Sequence, residues 1–314
     1  MVPSRRALLR SAAATGLTAV AGCAALPSFG TDDTEPEYTL TADRIDASPV
    51  EHALYDPDED DPLFGAPART ALDSILPDGR YTTYGYESLP AGAYVRHDGT
   101  YYRTESVVTG RERMARPFVR IEKVAEGSVP EDAVLVDDLD RPSARVVKIL
   151  HANAQTDGES GSADLLRGDA YVLRRPAELE SRLASDDFDG RVVTMTESGT
   201  WAYRVRVARR PILETAYTAL AIEVADSESA FREVVFGSRI DAELAPGDLA
   251  ADAREVLERC LSRGRYAETA PLSPGFDAVL EALGVDTVET AATGRLLWYD
   301  GELYRYGLYV DEEE

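Results

Sequence analysis

The dipeptide Tyr-Arg occurs three times, at Tyr102-Arg103, Tyr203-Arg204 and Tyr304-Arg305, at two identical intervals of 101 residues. Chance alone supplies about one or two such dipeptides in a chain of this make-up, so the weight rests on what surrounds them. The segments HDGTYYR (His97 to Arg103), ESGTWAYR (Glu197 to Arg204) and YDGELYR (Tyr299 to Arg305) each place the pair three or four residues after a glycine. Asp-Gly or Ser-Gly between β-rich runs signals a tight hairpin, because glycine takes the positive φ that a primed turn demands.

Upstream of each hairpin lies a helix-like run ending at Gly and followed by Tyr: Ala68 to Tyr81, Ala163 to Tyr171 and Ala253 to Tyr266. The glycine just past the helix end predicts a left-handed cap in each. Further upstream are alternating strand-like runs, YTLTADRI from Tyr38, FVRIEKV from Phe118 and YTALAIEV from Tyr217. These orders predict three divergent copies, 37–108, 116–208 and 215–310, each running strand, loop, helix, Gly-x-Tyr-like turn and hairpin. The later two carry an added short helix, from Pro176 to Ala184 and from Pro274 to Leu283, with Pro near the first turn where it is tolerated. A polar stretch without apolar periodicity, Asn153 to Ser162, reads as an exposed loop. The expected class is α+β, an antiparallel sheet with helices on one face, because helices alternate with strands joined by tight hairpins. Units of this size sustain a core alone or share one sheet, and both arrangements stay open.

Residues 1–22 read as a cleaved export signal: Arg5, Arg6 and Arg10, then an apolar core, then Val20-Ala21-Gly22 before Cys23. The Arg5-Arg6 pair after Ser4, with Leu8 and Leu9 behind it, resembles the twin-arginine export signal. The tetrad Val20 to Cys23 resembles a lipobox, which implies that Cys23 becomes the first mature residue and carries a lipid anchor. Residues 23–36 follow as the lipidated Cys and a flexible tether rich in Thr, Asp, Pro and Gly, and 311–314 form an acidic tail.

The chain holds 33 Lys plus Arg against 57 Asp plus Glu, and its only lysines are Lys123 and Lys148. Removing residues 1–22 deletes three arginines and no acid, leaving 30 minus 57, or −27. Such acidity with Lys nearly absent resembles haloarchaeal proteins, whose self-repulsion molar salt screens. The field excludes nucleic acid as a partner, since its phosphates are repelled.

Catalytic signatures are missing: no Gly-x-Ser-x-Gly, no Gly-Lys-Ser/Thr loop, no His-Glu-x-x-His and no Cys-x-x-Cys. His52, His97 and His151 are scattered, and neither metal nor cofactor is expected. DPDEDD (Asp56 to Asp61) lacks the glycine and the bidentate glutamate of an EF-hand loop and reads as a solvated run. Cys260 recurs with Val256, Leu257 and Leu261 at helical spacing and reads as core.

The candidate binding surface is the recurring set Tyr102, Arg103, Tyr203, Arg204, Tyr304 and Arg305, residue types that favour recognition. Sheet packing is the favoured explanation of the same residues, because aromatic residues also favour strands. The reading from sequence is a non-enzymatic, lipid-anchored protein on the outer face of the cell membrane that binds an envelope protein or glycan. The alternative is an extracytoplasmic small-ligand receptor or enzyme with a pocket between modules. A flat Tyr-rich face would favour the first, and a pocket with convergent Arg and carboxylates the second.

Overall fold

The computed structural model describes residues 35–311 apart from 157 and 199. Arg5, Arg6, Cys23, nearly all of the tether and residues 312–314 lie outside the described residues. The chain opens with β1 (Glu37–Ile45), α1 (Pro49–Ala53), α2 (Pro62–Ile75), β2 (Tyr81–Tyr84), β3 (Tyr94–His97) and β4 (Thr100–Lys123). Then come β5 (Val134–Leu135), α3 (Arg141–Gln155), β6 (Leu166–Arg167), β7 (Ala170–Val172), α4 (Pro176–Leu179), β8 (Val192–Thr194) and β9 (Ala202–Ala225). The last third holds α5 (Glu228–Ser238), β10 (Ala242–Leu244), α6 (Ala251–Arg263), β11 (Arg265–Thr269), α7 (Pro274–Ala282), β12 (Ala291–Tyr299) and β13 (Glu302–Asp311).

The result is a mixed α and β fold in which antiparallel pairing dominates. One five-stranded sheet runs β10-β12-β13-β1-β11; an eight-stranded sheet runs β5-β8-β9-β4-β7-β6, with β2 added on β9 and β3 on β4. Two of the hairpin signals become two-residue turns: Asp98 and Gly99 have φ of 50° and 84°, Asp300 and Gly301 of 50° and 81°. Paired positive values of φ are those of a type I′ turn. They close His97↔Thr100 and Tyr299↔Glu302, while the third hairpin closes Thr194↔Ala202 through a longer loop.

Each first strand lies between the Tyr-Arg strand and the Gly-x-Tyr strand of a four-strand set, in one common register. Leu40 of β1 faces Leu308 and Tyr266; Val119 of β4 faces Val207 and Tyr171; Ala219 of β9 faces Ser106 and Tyr81. Four residues further along each first strand, Arg44 faces Tyr304, Lys123 faces Tyr203 and Glu223 faces Tyr102.

Which segments supply the strands is not what the linear order suggests. β4 and β9 are each 24 residues long and pair along nearly their whole length, from Tyr101↔Ala225 to Lys123↔Tyr203. The separators drawn at 108–116 and 208–215 are therefore strand interior, marked only by a register shift between Val108 and Gly110. Once the first half of β9 pairs with the second half of β4, the second half of β9 must run beside the first half of β4. It occupies the position that β1 would take if the first unit were self-contained. β1 instead joins the C-terminal sheet, between β13 and β11.

Two helix expectations need correction. Gly264 caps α6 in the left-handed conformation as predicted, with φ of 76°. The run from Ala163, by contrast, makes only a single 3-10 turn, and Gly168 (φ 66°) sits in the turn of the β6–β7 hairpin rather than at a helix end. α2 ends at Ile75, ahead of Leu76-Pro77, because the residue before a proline is driven out of the helical region; Gly79 is not its cap.

The helices seat separate cores. Ala253, Val256, Leu257 and Cys260 of α6, with Phe276, Val279 and Leu280 of α7, cover Leu40, Ala42, Leu297 and Leu308. Cys260 is fully buried, and its burial first, with Asp43 adding, pushes the thiol up to about 12. Val146, Val147 and Leu150 of α3 cover Val119, Tyr171, Val193 and Val205. Ala68, Ala71 and Ile75 of α2 lie on Ala219, while Phe231 of α5 stacks on Tyr101 at 4.2 Å and meets Tyr94 edge-on at 5.2 Å.

Candidate functional site

Buried positions of α3, Ser143, Val146, Val147 and Leu150, take one side of the helix. A different stripe, Arg141, Arg145, Lys148 and Ala152, recurs at the i, i+4, i+7, i+11 spacing of a single helical face. This stripe lines a groove of about 650 Å³ whose other wall is Asp61, Pro62 and Leu63 at the start of α2, completed by Pro142, Ala144, Ile149, Ser162 and Ala177. The volume is that of a small-molecule site, and most of the lining is apolar.

Each cation has a distinct setting. Arg141 Nη2 donates to Asp61 Oδ2 at 2.8 Å, and the other oxygen of Asp61 accepts from Leu63 N at 2.9 Å as the N-cap of α2. Lys148 Nζ donates to Asp137 Oδ1 at 2.9 Å. Arg145 has no carboxylate within 4.0 Å among the described residues. Its Nη1 donates to Tyr171 Oη at 3.0 Å, and its guanidinium lies 5.4 Å over the Phe64 ring. Arg175 packs on the same ring at 4.8 Å, so Phe64 of α2 is held against two arginines carried by or near α3 and α4.

Behind Arg145 the polar groups are fully engaged. Tyr171 Oη donates to Glu178 Oε1 at 2.7 Å, and Glu178 Oε2 accepts the backbone N–H of Arg174 and Arg175 at 2.8 and 2.9 Å. Burial, followed by the Glu178 carboxylate, pushes the Tyr171 hydroxyl up to about 12, so it stays a neutral donor. The orientation of Arg145 is thus set by a residue that does not titrate at ordinary pH.

A second, buried cluster ties Glu214 of β9 to Arg116 of β4 and to Arg174, which follows β7. Glu214 of β9, 3% exposed, accepts from Arg174 Nε at 3.0 Å and lies 3.7 Å from Arg116 Nε. Arg116 Nη2 donates to the Tyr84 carbonyl at 3.1 Å. The next residue, Gly85, has φ of 80°, and a Cβ there would lie 2.5 Å from Glu214 Oε2, so only glycine lets the loop close on this pair.

The Tyr-Arg positions do not converge. Tyr102 and Tyr203 are buried in the eight-stranded sheet near opposite ends of the β4–β9 ribbon, and Tyr304 is half-buried in the other sheet. Tyr203 Oη bonds His151 Nδ1 at 2.8 Å and accepts from Gln155 at 3.0 Å; burial lowers the His151 pKa. Arg103 pairs with Glu105 at 3.1 Å, Arg204 donates to the Gly190 carbonyl at 2.8 Å, and Arg305 is exposed. The tyrosines take packing positions, two buried and one half-buried, while Arg103 and Arg305 stand at the surface. Sequence reasoning missed Arg141, Arg145 and Lys148, although three cations at helical spacing, including one of two lysines, stand out in so acidic a chain.

No protein-family model matches the chain, and no curated protein or solved structure matches it either.

Proposed function

We propose that this protein is a lipid-anchored extracytoplasmic receptor for a small ligand, built from three divergent copies of one strand–helix–strand–hairpin unit with helices packed on one face. The observation that carries the receptor reading is the groove: its walls come from α2 and α3, and it concentrates Arg141, Arg145 and Lys148 against an apolar lining. The threefold reading is supported by the common register, in which Leu40, Val119 and Ala219 face Tyr266, Tyr171 and Tyr81. The anchor reading rests on the Val20 to Cys23 tetrad, and the outer face of the cell membrane is the location it implies.

Two experiments test these points. Cys23→Ser is expected to move the protein from the membrane fraction to the medium; continued tight membrane association would overturn the anchor. For the receptor, thermal unfolding of the full-length Cys23→Ser chain in molar salt is followed against amino acids, organic acids, sugars and metals. A bound ligand at one hundred times its Kd adds about 2.7 kcal/mol, a visible shift. Ala152→Trp fills the groove without removing a charge and is expected to abolish that shift. A shift unaffected by Ala152→Trp would sink the groove as the site.

A macromolecular partner, envelope protein or glycan, is favoured by one other observation: Val107, Val108 and Leu213 stand 43%, 65% and 50% exposed on the β4–β9 ribbon. Absence of any small-ligand shift would favour that reading.

A further inference from the structure

We infer that the ligand of the α2–α3 groove is a small organic carboxylate, a monoanion with an apolar body. The inference rests on the receptor reading and deepens it. Of the three cations lining the groove, Arg141 and Lys148 are each compensated by an aspartate, Asp61 and Asp137. Among the described residues Arg145 alone is not, so their charges leave the groove with one unmatched positive charge. A single net charge selects a monoanion over a phosphate dianion.

The chemistry of Arg145 narrows the head group further. Nη1 is engaged by Tyr171, while Nε and Nη2 make no hydrogen bond among the described residues. Those two N–H groups form the planar edge that receives a carboxylate through two parallel hydrogen bonds, a geometry a lysine cannot offer. Tyr171 and Phe64 hold the guanidinium in place before any ligand arrives, which lowers the ordering cost of binding. Leu63, Ala144, Ile149 and Ala152 supply the apolar surface for the remainder of the ligand. In molar salt the Debye length is about 3 Å, so a distant charge contributes little and recognition has to come from direct contact with Arg145.

The test is isothermal titration of the full-length Cys23→Ser chain with octanoate, octanol, octylamine and acetate in molar salt. Octanoate is expected to bind at least 10-fold more tightly than octanol, which shares its tail, and than acetate, which shares its head. Arg145→Gln is expected to weaken octanoate by about 10- to 100-fold, the range of a charged hydrogen bond, and to leave octanol unchanged; Arg191→Gln, whose pair with Asp132 is not part of the groove lining, should alter octanoate less than 3-fold. If Arg145→Gln does not fold, the octanoate-to-octanol ratio decides alone. Equal binding of octanol and octanoate, or full octanoate affinity in a folded Arg145→Gln protein, overturns the carboxylate assignment. A neutral or cationic ligand that Ala152→Trp blocks overturns the assignment and leaves the groove standing. A ligand indifferent to Ala152→Trp removes both.

Discussion

A chain lacking residues 1–45 is expected to keep most of its eight-stranded sheet and to lose the C-terminal sheet, more than 190 residues away in sequence. β1 is an inner strand there. It pairs with β13 from Glu37↔Asp311 to Ile45↔Leu303 and with β11 from Glu37↔Thr269 to Thr41↔Arg265. Leu40 and Ala42 are 1% and 3% exposed beneath α6 and α7, so deletion opens a trough in that core and leaves both neighbouring strands with unpaired backbone groups. Hydrogen exchange is the measurement: amides of Arg265 to Thr269 and Leu303 to Val310 should lose protection together, while those of Val119 and Val205 keep theirs. A peptide of residues 35–46 added in trans is expected to restore protection by strand addition. Loss confined to residues 46–108, with the C-terminal sheet intact, would show that β1 belongs with its sequence neighbours.

Glu214→Ala is expected to cost about 3–5 kcal/mol, the range for removing one partner of a buried ion pair. The substitution strands the charge of Arg116, 7% exposed, and frees Arg174, while Arg116 Nε already lacks a hydrogen-bond partner among the described residues. At about 2–4 °C per kcal/mol for domains of this size, the melting temperature should fall by about 10 °C. Glu122→Ala is the matched control. Its pair with Arg206, at 3.0 Å, is half-exposed on both sides and is worth at most about 1 kcal/mol. Molar salt screens the exposed pair and spares the buried one, so the gap should persist in the solvent where the protein is studied. Equal shifts for the two variants would mean that the Arg116–Glu214–Arg174 cluster does not hold the Tyr84–Gly85 loop against Arg174.

Local chemistry was legible in the chain because its causes are local. Asp98-Gly99 and Asp300-Gly301 specify type I′ turns, since few residue pairs adopt two successive positive φ values without strain. Gly264 specifies the end of α6 and the Val256, Leu257, Cys260 spacing its buried face for the same kind of reason. Gly168 and Gly79 misled, because a glycine permits a left-handed cap without requiring a helix before it.

The sequence by itself determined the tight turns at Asp98-Gly99 and Asp300-Gly301 and the strand character of the runs from Tyr38, Phe118 and Tyr217. Only the tertiary structure decided which segments pair. No turn residue pair interrupts 109–115 or 209–215 strongly enough to reverse the chain, so β4 and β9 each continue through the boundary. Two continuous antiparallel strands must then stay side by side along their full length, which sends β1 to the far sheet. The groove arose in the same way: the cationic face of α3 is written in its periodicity, but the wall opposite it comes from α2, about eighty residues earlier, brought there by pairing that no local pattern encodes.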